Sequence, residues 1–282
     1  MPLNINANTN ALDAQRYLNI NTIKLQKSMQ MLASGYRINQ AGDDAAGLAL
    51  SESLRSQIRG TNKASDNVQD GINLLNVADG ALQTITDSLQ RMRELAVQAG
   101  NDTYSTAQRS AMSAEFAQLA SGINQIATST QFNGVKLLSG SASTLKLQVG
   151  ANTTSGVDTL NIGGQGVFNS INASALSITS TVKLDTSAHA LSAIGTLDTA
   201  IQTVNTRRGK IGGLSNRLES TSNNLAITSE NLSASESQIR NVDVASESAH
   251  LAQYQILQQV SAAMLSQANQ APQLALSLLK GG

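Results

Sequence analysis

Residues 197–239 read LDTAIQTVNTRRGKIGGLSNRLESTSNNLAITSENLSASESQI, and apolar residues recur in this stretch at every seventh position. Such a repeat is typical of a helix that packs along a partner helix. A continuous helix over this stretch would be about 65 Å long, at about 1.5 Å per residue, which is too long for one element of a compact domain. We therefore predict a helical rod with a core formed by Leu197, Val204, Ile211, Leu218, Leu225, Leu232 and Ile239.

A second stretch repeats this pattern earlier in the chain. After a break at residues 100–102, apolar positions between residues 112 and 126 alternate spacings of three and four, which predicts a third, shorter helix. Helices with matching seams bury one another in an elongated antiparallel bundle, so the fold class is mainly α. The apolar positions of the second stretch are Val68, Leu75, Leu82, Leu89 and Ala96.

Both ends of the chain carry amphipathic helix patterns. The segment between Gln253 and Gln273 contains no charged side chain. Such a helix suits burial against other copies of itself, and isolated helices are marginal in water. We predict that both ends are loose in the monomer and ordered in an assembly. The predicted polymerisation interface consists of Leu18, Leu25, Met29, Leu32 and Tyr36 with Leu257, Val260, Met264, Ala268, Leu274 and Leu278.

The middle of the chain, about 139–195, differs in character from both halves. Short alternating apolar runs at 145–149 and 157–162 are separated by Gly, Asn, Thr and Ser, which predicts small β-hairpins on the helical body. Asn133-Gly134 is a turn signal that leads into this region. The order of elements is nearly palindromic, so we expect the two terminal helices to pair at one end.

Composition excludes several classes of protein. The chain has 282 residues, no Cys and no Trp, and 19 basic residues balance 19 acidic ones. Thiol catalysis, zinc fingers and disulfide frameworks are excluded, and the balanced charge argues against nucleic acid as a partner. No stretch approaches the about 20 apolar residues of a membrane span, and the first residues do not form a secretory signal peptide.

No catalytic or metal-binding constellation emerges from the sequence, so we expect neither an enzyme nor a cofactor. Asp43 and Asp44 follow Gly42 and read as helix-capping residues rather than paired acid and base. Asn241 and Asp243 likewise read as the boundary before the terminal helix. Neither of the only two histidines, at 189 and 250, has a second His within helical reach.

Two glycine-rich stretches do not have the spacing of a phosphate-binding loop. GGQG at 163–166 is interpreted as a hairpin turn, and RRGKIGG at 207–213 as a flexible or bulged part of the long helix. The charged stretch LQRMRELAVQAG is interpreted as a solvated helix face. Within it, Leu95 lies off the sevenfold seam, so we expect it to be partly exposed and a candidate contact for a partner.

The sequence resembles bacterial flagellin in several independent blocks that occur in the family's order over nearly the whole chain. The resemblance implies a flagellar filament subunit that is secreted unfolded through the flagellar type III apparatus, which accounts for the missing signal peptide. It implies an export chaperone, the cap protein and hook-associated proteins as partners. The matching blocks are LASGYRINQAGDDAAGLAL (32–50), DGINLLNVADGAL, LQRMRELAVQAGN, TQFNGVKLL, LQVGAN and QILQQVSAAMLSQANQAPQLALSLL (255–279).

The resemblance also implies an organisation into domains. Residues 1–43 and 241–282 would be the inner-core terminal helices that line the filament, and residues 44–240 the outer-core rod, including the hairpin insert. Flagellins are often modified at exposed hydroxyl groups, so the resemblance implies candidate sites for O-linked sugars at Ser141, Ser143, Thr153, Thr154 and Ser174.

A recognition site for the flagellin-sensing Toll-like receptor of animals is a further implication of the family resemblance. The segment LQRMRELAVQ matches the family's motif without a departure. The receptor-recognition candidates are Gln90, Arg91, Glu94, Leu95, Gln98 and Glu115.

Three alternatives to a filament subunit stay open. A hook–filament junction protein shares the terminal helices, but the continuity of the matching blocks through Gly150 favours flagellin itself. A secreted enzyme with flagellin ends would need a central insert with a metal motif. A coiled-coil scaffold that does not polymerise explains the sevenfold seams but not the uncharged carboxy-terminal helix.

Overall fold

The computed structural model describes residues 8–154, 157–179 and 182–280, and of residues 271–280 it describes the helical backbone alone. The predicted mainly helical fold with a small hairpin region is confirmed. The helices are α1 (Thr9–Ser34), α2 (Ala45–Ala99), α3 (Thr106–Ser129), α4 (Ser187–Arg240) and α5 (Val244–Lys280). The strands are β1 (Gln131–Phe132), β2 (Val135–Lys136), β3 (Lys146–Gln148) and β4 (Thr159–Asn161).

The chain divides into two compact units. The central unit spans Gln57–Asn231, and the terminal unit contains the residues up to Ser56 and from Leu232 onward. The boundaries of these compact units lie inside α2 and α4. The division near residues 43 and 241 that the family resemblance implies stays a prediction. Within the terminal unit, the first turns of α2 and the last turn of α4 are joined by the ion pair between Arg240 and Glu52, at 2.6 Å.

The sevenfold seams lie mostly in the core of the central unit. Val68, Leu75, Leu82, Leu89 and Ala96 of α2 are all buried. On α4 the five positions from Leu197 to Leu225 are buried as well. Leu232 and Ile239, the last two positions of that seam, are half-buried and belong to the terminal unit.

Charged side chains tie the helices of the central unit together. Arg93 of α2 pairs with Asp198 of α4 at 2.6 Å, and Arg208 of α4 pairs with Asp79 of α2 at 2.9 Å. Each ion pair thus joins α2 to α4. The pKa values of both arginines are raised, chiefly by the hydrogen bond to the aspartate.

The prediction of a bulged stretch at 207–213 was wrong, because α4 is helical throughout this segment. Its glycines at 209, 212 and 213 face solvent, while Ile211 and Leu214 are buried. The basic residues have fixed partners: Arg207 donates to the main-chain oxygens of Asn169 and Ser170, at 2.6 and 3.2 Å. The burial of Ile211 and Leu214 on the other face of α4 therefore outweighs the low helix propensity of the three glycines.

Two antiparallel hairpins follow α3. Asn133 and Gly134 form the two-residue turn between β1 and β2, and both have positive φ, at 46° and 79°. Asparagine and glycine tolerate this left-handed conformation, which matches the twist of the paired strands. In the second hairpin Leu147 of β3 lies opposite Leu160 of β4.

The insert is shorter than the predicted range of about 139–195, because α4 begins at Ser187. Residues 163–165 form a 3₁₀ turn that follows β4, so the interpretation of GGQG as a hairpin turn was wrong. Gly163 is buried in this turn because the chain segment 142–145 packs directly against its α-carbon.

Replacing Gly163 with Ala is expected to destabilise the central unit by about 3 kcal/mol, because a Cβ there meets main-chain atoms that cannot rotate away. That Cβ would lie less than 3.0 Å from the main chain at Ala142, Ser143 and Leu145. Urea unfolding followed by circular dichroism measures the change. Gly122→Ala is the matched control, since nothing lies within 4 Å of the added methyl group; equal midpoints for the two variants would contradict the close packing.

Candidate assembly surface on the paired terminal helices

The terminal helices begin and end at defined caps. The Asn8 side chain accepts a hydrogen bond from the Ala11 amide at 3.1 Å, and Gly35 ends α1 in the left-handed conformation, with φ of 74°. Asp243 caps α5 by accepting from the amide of Ala245 at 3.0 Å. Caps of these types stabilise the orphan amides and carbonyls at helix ends.

α1 and α5 pack against each other in antiparallel orientation. Asn8 at the start of α1 donates to the carbonyl oxygen of Ala268 at 2.8 Å, while Ser28 near its end contacts the carbonyl oxygen of Glu247 at 3.5 Å. Between them, Asn21 donates to the hydroxyl of Ser261 at 2.9 Å. Both ends are thus helical and paired in the structure, and the expectation that they are loose in the free monomer stays a prediction.

The connections α1–α2 and α4–α5 are joined to each other by main-chain hydrogen bonds. The Arg37 amide donates to the Arg240 carbonyl at 2.7 Å, and the Val242 amide donates to the Gly35 carbonyl at 3.0 Å. The Arg240 guanidinium lies 4.8 Å from the centre of the Tyr36 ring. These contacts hold the two connections side by side at the base of the helix pair.

Carboxylates in this region serve structure rather than acid–base chemistry. Asp43 pairs with Lys27 at 2.7 Å and accepts from the amides of Asn39 and Gln40, each at 3.1 Å. The Lys27 ammonium, followed by these two amides, lowers the pKa of Asp43. Asp44 accepts from the Gly47 amide at the start of α2, as a helix cap does.

The predicted interface residues occupy different environments. On α1, the stripe of Leu18, Leu25 and Leu32 is half-buried against α5, whereas Met29 is exposed, as is Tyr36 just beyond the helix end. On α5 the corresponding positions are exposed at Leu257, Val260 and Met264 and half-buried at Ala268. The side chains of Leu274 and Leu278 lie outside the described residues.

Further apolar side chains of the helix pair are exposed that the sequence analysis missed. The amphipathic spacing of α1 indicated a single apolar stripe. The large apolar residues that lie off that stripe were the sequence signal that could have identified the remaining exposed positions. We define the assembly surface as the exposed apolar residues Leu12, Tyr17, Ile20, Ile23 and Met29 of α1 and Ile256, Leu257, Val260 and Met264 of α5.

Part of the assembly surface forms a groove between α1 and α5. Its volume is about 630 Å³, and its apolar lining includes Tyr17, Leu257, Val260 and Met264. Asp13 is the charged residue among the lining side chains that the structure describes. An open apolar groove of this kind suits contact with another apolar protein surface.

A second candidate surface lies on α2 and α3 of the central unit. Gln90, Glu94 and Gln98 are exposed, and Arg91 bridges Glu115 of α3 at 2.9 Å and Glu94 at 3.0 Å. The hydrogen bond to Glu115, and then that to Glu94, raises the pKa of Arg91.

The expectation of a partly exposed Leu95 was wrong, because only 2% of this residue is accessible. A sevenfold seam assumes one partner helix, whereas α2 contacts α3 through Arg91 and α4 through Arg93 in this stretch. Two partner helices bury a wider stripe than one, and Leu95 joins the cluster that contains Met112 and Phe116 of α3. Leu95 therefore packs beneath this surface, and its part in receptor recognition stays a prediction.

The proposed modification sites are accessible with one exception. Ser141, Thr153, Thr154 and Ser174 are exposed, and Ser143 is half-buried. Among the described residues no group of His, Asp and Glu could hold a metal ion. Where the structure describes the chain, no helix is both long and apolar enough to cross a membrane.

Comparison with known protein families shows which family the chain matches. The bacterial flagellin N-terminal helical region matches residues 5–143, and the bacterial flagellin C-terminal helical region matches residues 194–279. The chain belongs to the bacterial flagellin family. Proteins of this family are structural subunits of the flagellar filament, an extracellular appendage, and they are not enzymes.

Individual relatives extend the similarity over nearly the whole chain. A flagellin of Halalkalibacterium halodurans is 46% identical, over 98% of this chain and 99% of its own length. The flagellar filament 33 kDa core protein of Treponema phagedenis is 44% identical over the same shares. A solved Vibrio parahaemolyticus structure, assigned as a flagellar hook-associated protein, is 16% identical with a TM-score of 0.58, covering 71% of this chain and 100% of its own, and shows the fold alone.

Proposed function

We propose that the assembly surface carries the contacts between subunits in the flagellar filament. The observation that supports this most directly is the exposure of nine large apolar residues on α1 and α5. These two helices already pack against each other within the chain, so the exposed residues are left without a partner helix in the part of the chain that the structure describes. The segment between Gln253 and Gln273 adds no charge that would need water. These side chains are available for burial against neighbouring copies.

Burial of this surface gives a physical basis for polymerisation. Apolar area removed from water stabilises by about 25 cal/mol per Å², so several hundred Å² per helix contribute several kcal/mol before ordering costs. A contact of α1 on one copy with α5 on the next, not reciprocated between the same two copies, is heterologous. A heterologous contact that does not close into a ring generates an open helical polymer.

The Val260→Glu variant is expected to slow filament elongation at least about tenfold, because a carboxylate in the groove would be buried without a partner. Elongation from sonicated filament seeds is followed by light scattering and checked by negative-stain electron microscopy. Gln125→Glu adds the same charge to an exposed position of α3 and is expected to elongate normally. Normal elongation of Val260→Glu would contradict the proposed surface.

The same assay separates the alternatives. A wild-type chain that never elongates, with seeds and under several precipitating salts, would indicate a hook–filament junction protein or a coiled-coil scaffold.

We further propose, on family membership, that the chain is secreted through the flagellar type III apparatus with an export chaperone, and that the cap and hook-associated proteins contact it in the flagellum. O-linked sugars on the exposed hydroxyl groups of the insert are part of the same proposal.

As a second function, we propose that the flagellin-sensing Toll-like receptor of animals recognises the α2–α3 surface. Its support is the fixed position of the exposed Arg91 between Glu94 and Glu115. Arg91→Ala is expected to weaken receptor activation at least about tenfold, as truncation of an interface hot spot does. Arg217→Ala is the matched control, since it truncates an exposed arginine on α4 outside the α2–α3 surface. Equal activation by the two variants in a reporter-cell assay would refute the assignment.

A further inference from the structure

The structure separates the methionines of this chain by their exposure. Met264 is 62% exposed in the groove of the assembly surface, and Met29 is 46% exposed on α1. Met92 and Met112 lie in the core of the central unit, with exposures of 0% and 8%. Met31 is half-buried. The two most exposed residues among the described methionines, Met264 and Met29, are therefore both on the assembly surface.

We propose that Met264, with Met29 as a second site, makes subunit assembly sensitive to peroxide. The inference rests on the proposed function of the assembly surface. The chain contains no Cys and no Trp, so no thiol or indole competes with methionine sulfur for an oxidant. Susceptibility to oxidation follows accessibility, which favours Met264 and Met29 over the core methionines.

The chemistry is a two-electron oxidation by hydrogen peroxide. The thioether sulfur attacks one peroxide oxygen, the O–O bond breaks, and an S–O bond forms. The other oxygen leaves as water and takes up both peroxide protons, so a sulfide and one hydrogen peroxide give a sulfoxide and one water. Sulfur is oxidised and peroxide is reduced, and methionine sulfoxide reductases reverse the change.

The consequence for assembly follows from the groove. Met264 shares the groove with the apolar Tyr17, Leu257 and Val260 and with polar side chains that include Asn21 and Gln267. Contact with an apolar surface of a neighbouring subunit would remove water from a sulfoxide oxygen and leave it against that apolar surface. A polar group buried without a hydrogen-bond donor is unfavourable. In a completed filament the same sulfur would be covered, so the sensitive state is the subunit before incorporation.

Peptide mass spectrometry of the monomer after dilute hydrogen peroxide tests the site. Met264 and Met29 are expected to gain one oxygen, about 16 Da, at least about tenfold faster than Met92. In filaments treated identically, Met264 is expected to be protected. Equal oxidation of Met264 in monomer and filament would overturn the claim that assembly covers this sulfur.

Seeded elongation then tests the consequence, with each chain compared with its own untreated sample. Oxidised wild-type monomer is expected to elongate at least about tenfold more slowly and to recover after treatment with methionine sulfoxide reductases. The double variant Met29→Leu/Met264→Leu, which carries no oxidisable sulfur at either site, is expected to lose no more than about twofold on oxidation. Met112→Leu is the matched control and is expected to stay as sensitive as wild type.

Two results would overturn the inference: unchanged elongation of wild type that carries sulfoxide at Met264, or an equal loss in the double leucine variant. Failure of the underlying proposal is recognised separately. If Val260→Glu elongates normally, the assembly surface itself is misplaced. If Val260→Glu is blocked but the sulfoxide has no effect, the surface stands and only the peroxide sensitivity is refuted.

Discussion

A chain that ends at Met264 is expected to form no filaments while the central unit keeps its fold. The deletion removes Leu265, which is half-buried, and Ala268, whose carbonyl oxygen accepts the hydrogen bond from Asn8. It also removes the remaining length of α5, and short helices without packing partners are marginal in water. The core of the central unit lies within residues 57–231 and loses nothing.

Two measurements check this expectation together. Electron microscopy after seeding reports filaments, and thermal unfolding by circular dichroism reports whether the central unit still melts cooperatively. A chain lacking only Gly281 and Gly282, which follow the end of α5 at Lys280, is the matched control and is expected to polymerise. Filaments of normal length from the chain that ends at Met264 would show that the terminal helices do not carry the subunit contacts.

Replacing Leu218 with Asp is expected to unfold the central unit at 25 °C. Leu218 is fully buried in the seam of α4. Loss of a buried leucine side chain costs about 2–5 kcal/mol, and an unpaired charge in the same place adds several kcal/mol. The sum is comparable with the about 5–15 kcal/mol by which domains are stable. Far-ultraviolet circular dichroism and urea unfolding measure the loss.

Asn216→Asp introduces the same carboxylate at an exposed position of the same helix turn. It is expected to leave the unfolding midpoint nearly unchanged, since surface substitutions usually lie within about 0.5 kcal/mol. Leu218→Ala is expected to fall between the two, because it removes packing without adding a charge. If the Leu218→Asp variant melts like wild type, this seam is not the core of the central unit.

Much of the helical framework could be predicted from residue spacing. Sevenfold and mixed three-and-four spacings located the helices at 68–96, 112–126 and 197–239, because burial along one helix face leaves a periodic trace in the sequence. Asn133-Gly134 predicted a tight turn because few other residues tolerate left-handed backbone. The errors arose where local signals were overridden: the glycines at 209–213 suggested a bulge, yet burial of Ile211 and Leu214 keeps the helix continuous.

The candidate site was predicted less completely than the fold. Met29, Leu257, Val260 and Met264 were identified from their spacing and are exposed. The half-buried Leu18, by contrast, belongs to the stripe that α5 covers within the chain. Periodicity reports that a face is apolar, but it cannot say whether the same chain or another copy covers that face.

The sequence by itself determined the helical class, the uncharged segment between Gln253 and Gln273 and the membership of the flagellin family, because these depend on composition, period and order along the chain. Only the tertiary structure decided which apolar residues remain exposed. Leu95 is buried because two helices pack on α2 at once, and Met264 stays exposed because the groove between α1 and α5 that it lines is open to solvent. Exposure depends on the number and direction of packing partners, and these are set by contacts between residues far apart in sequence.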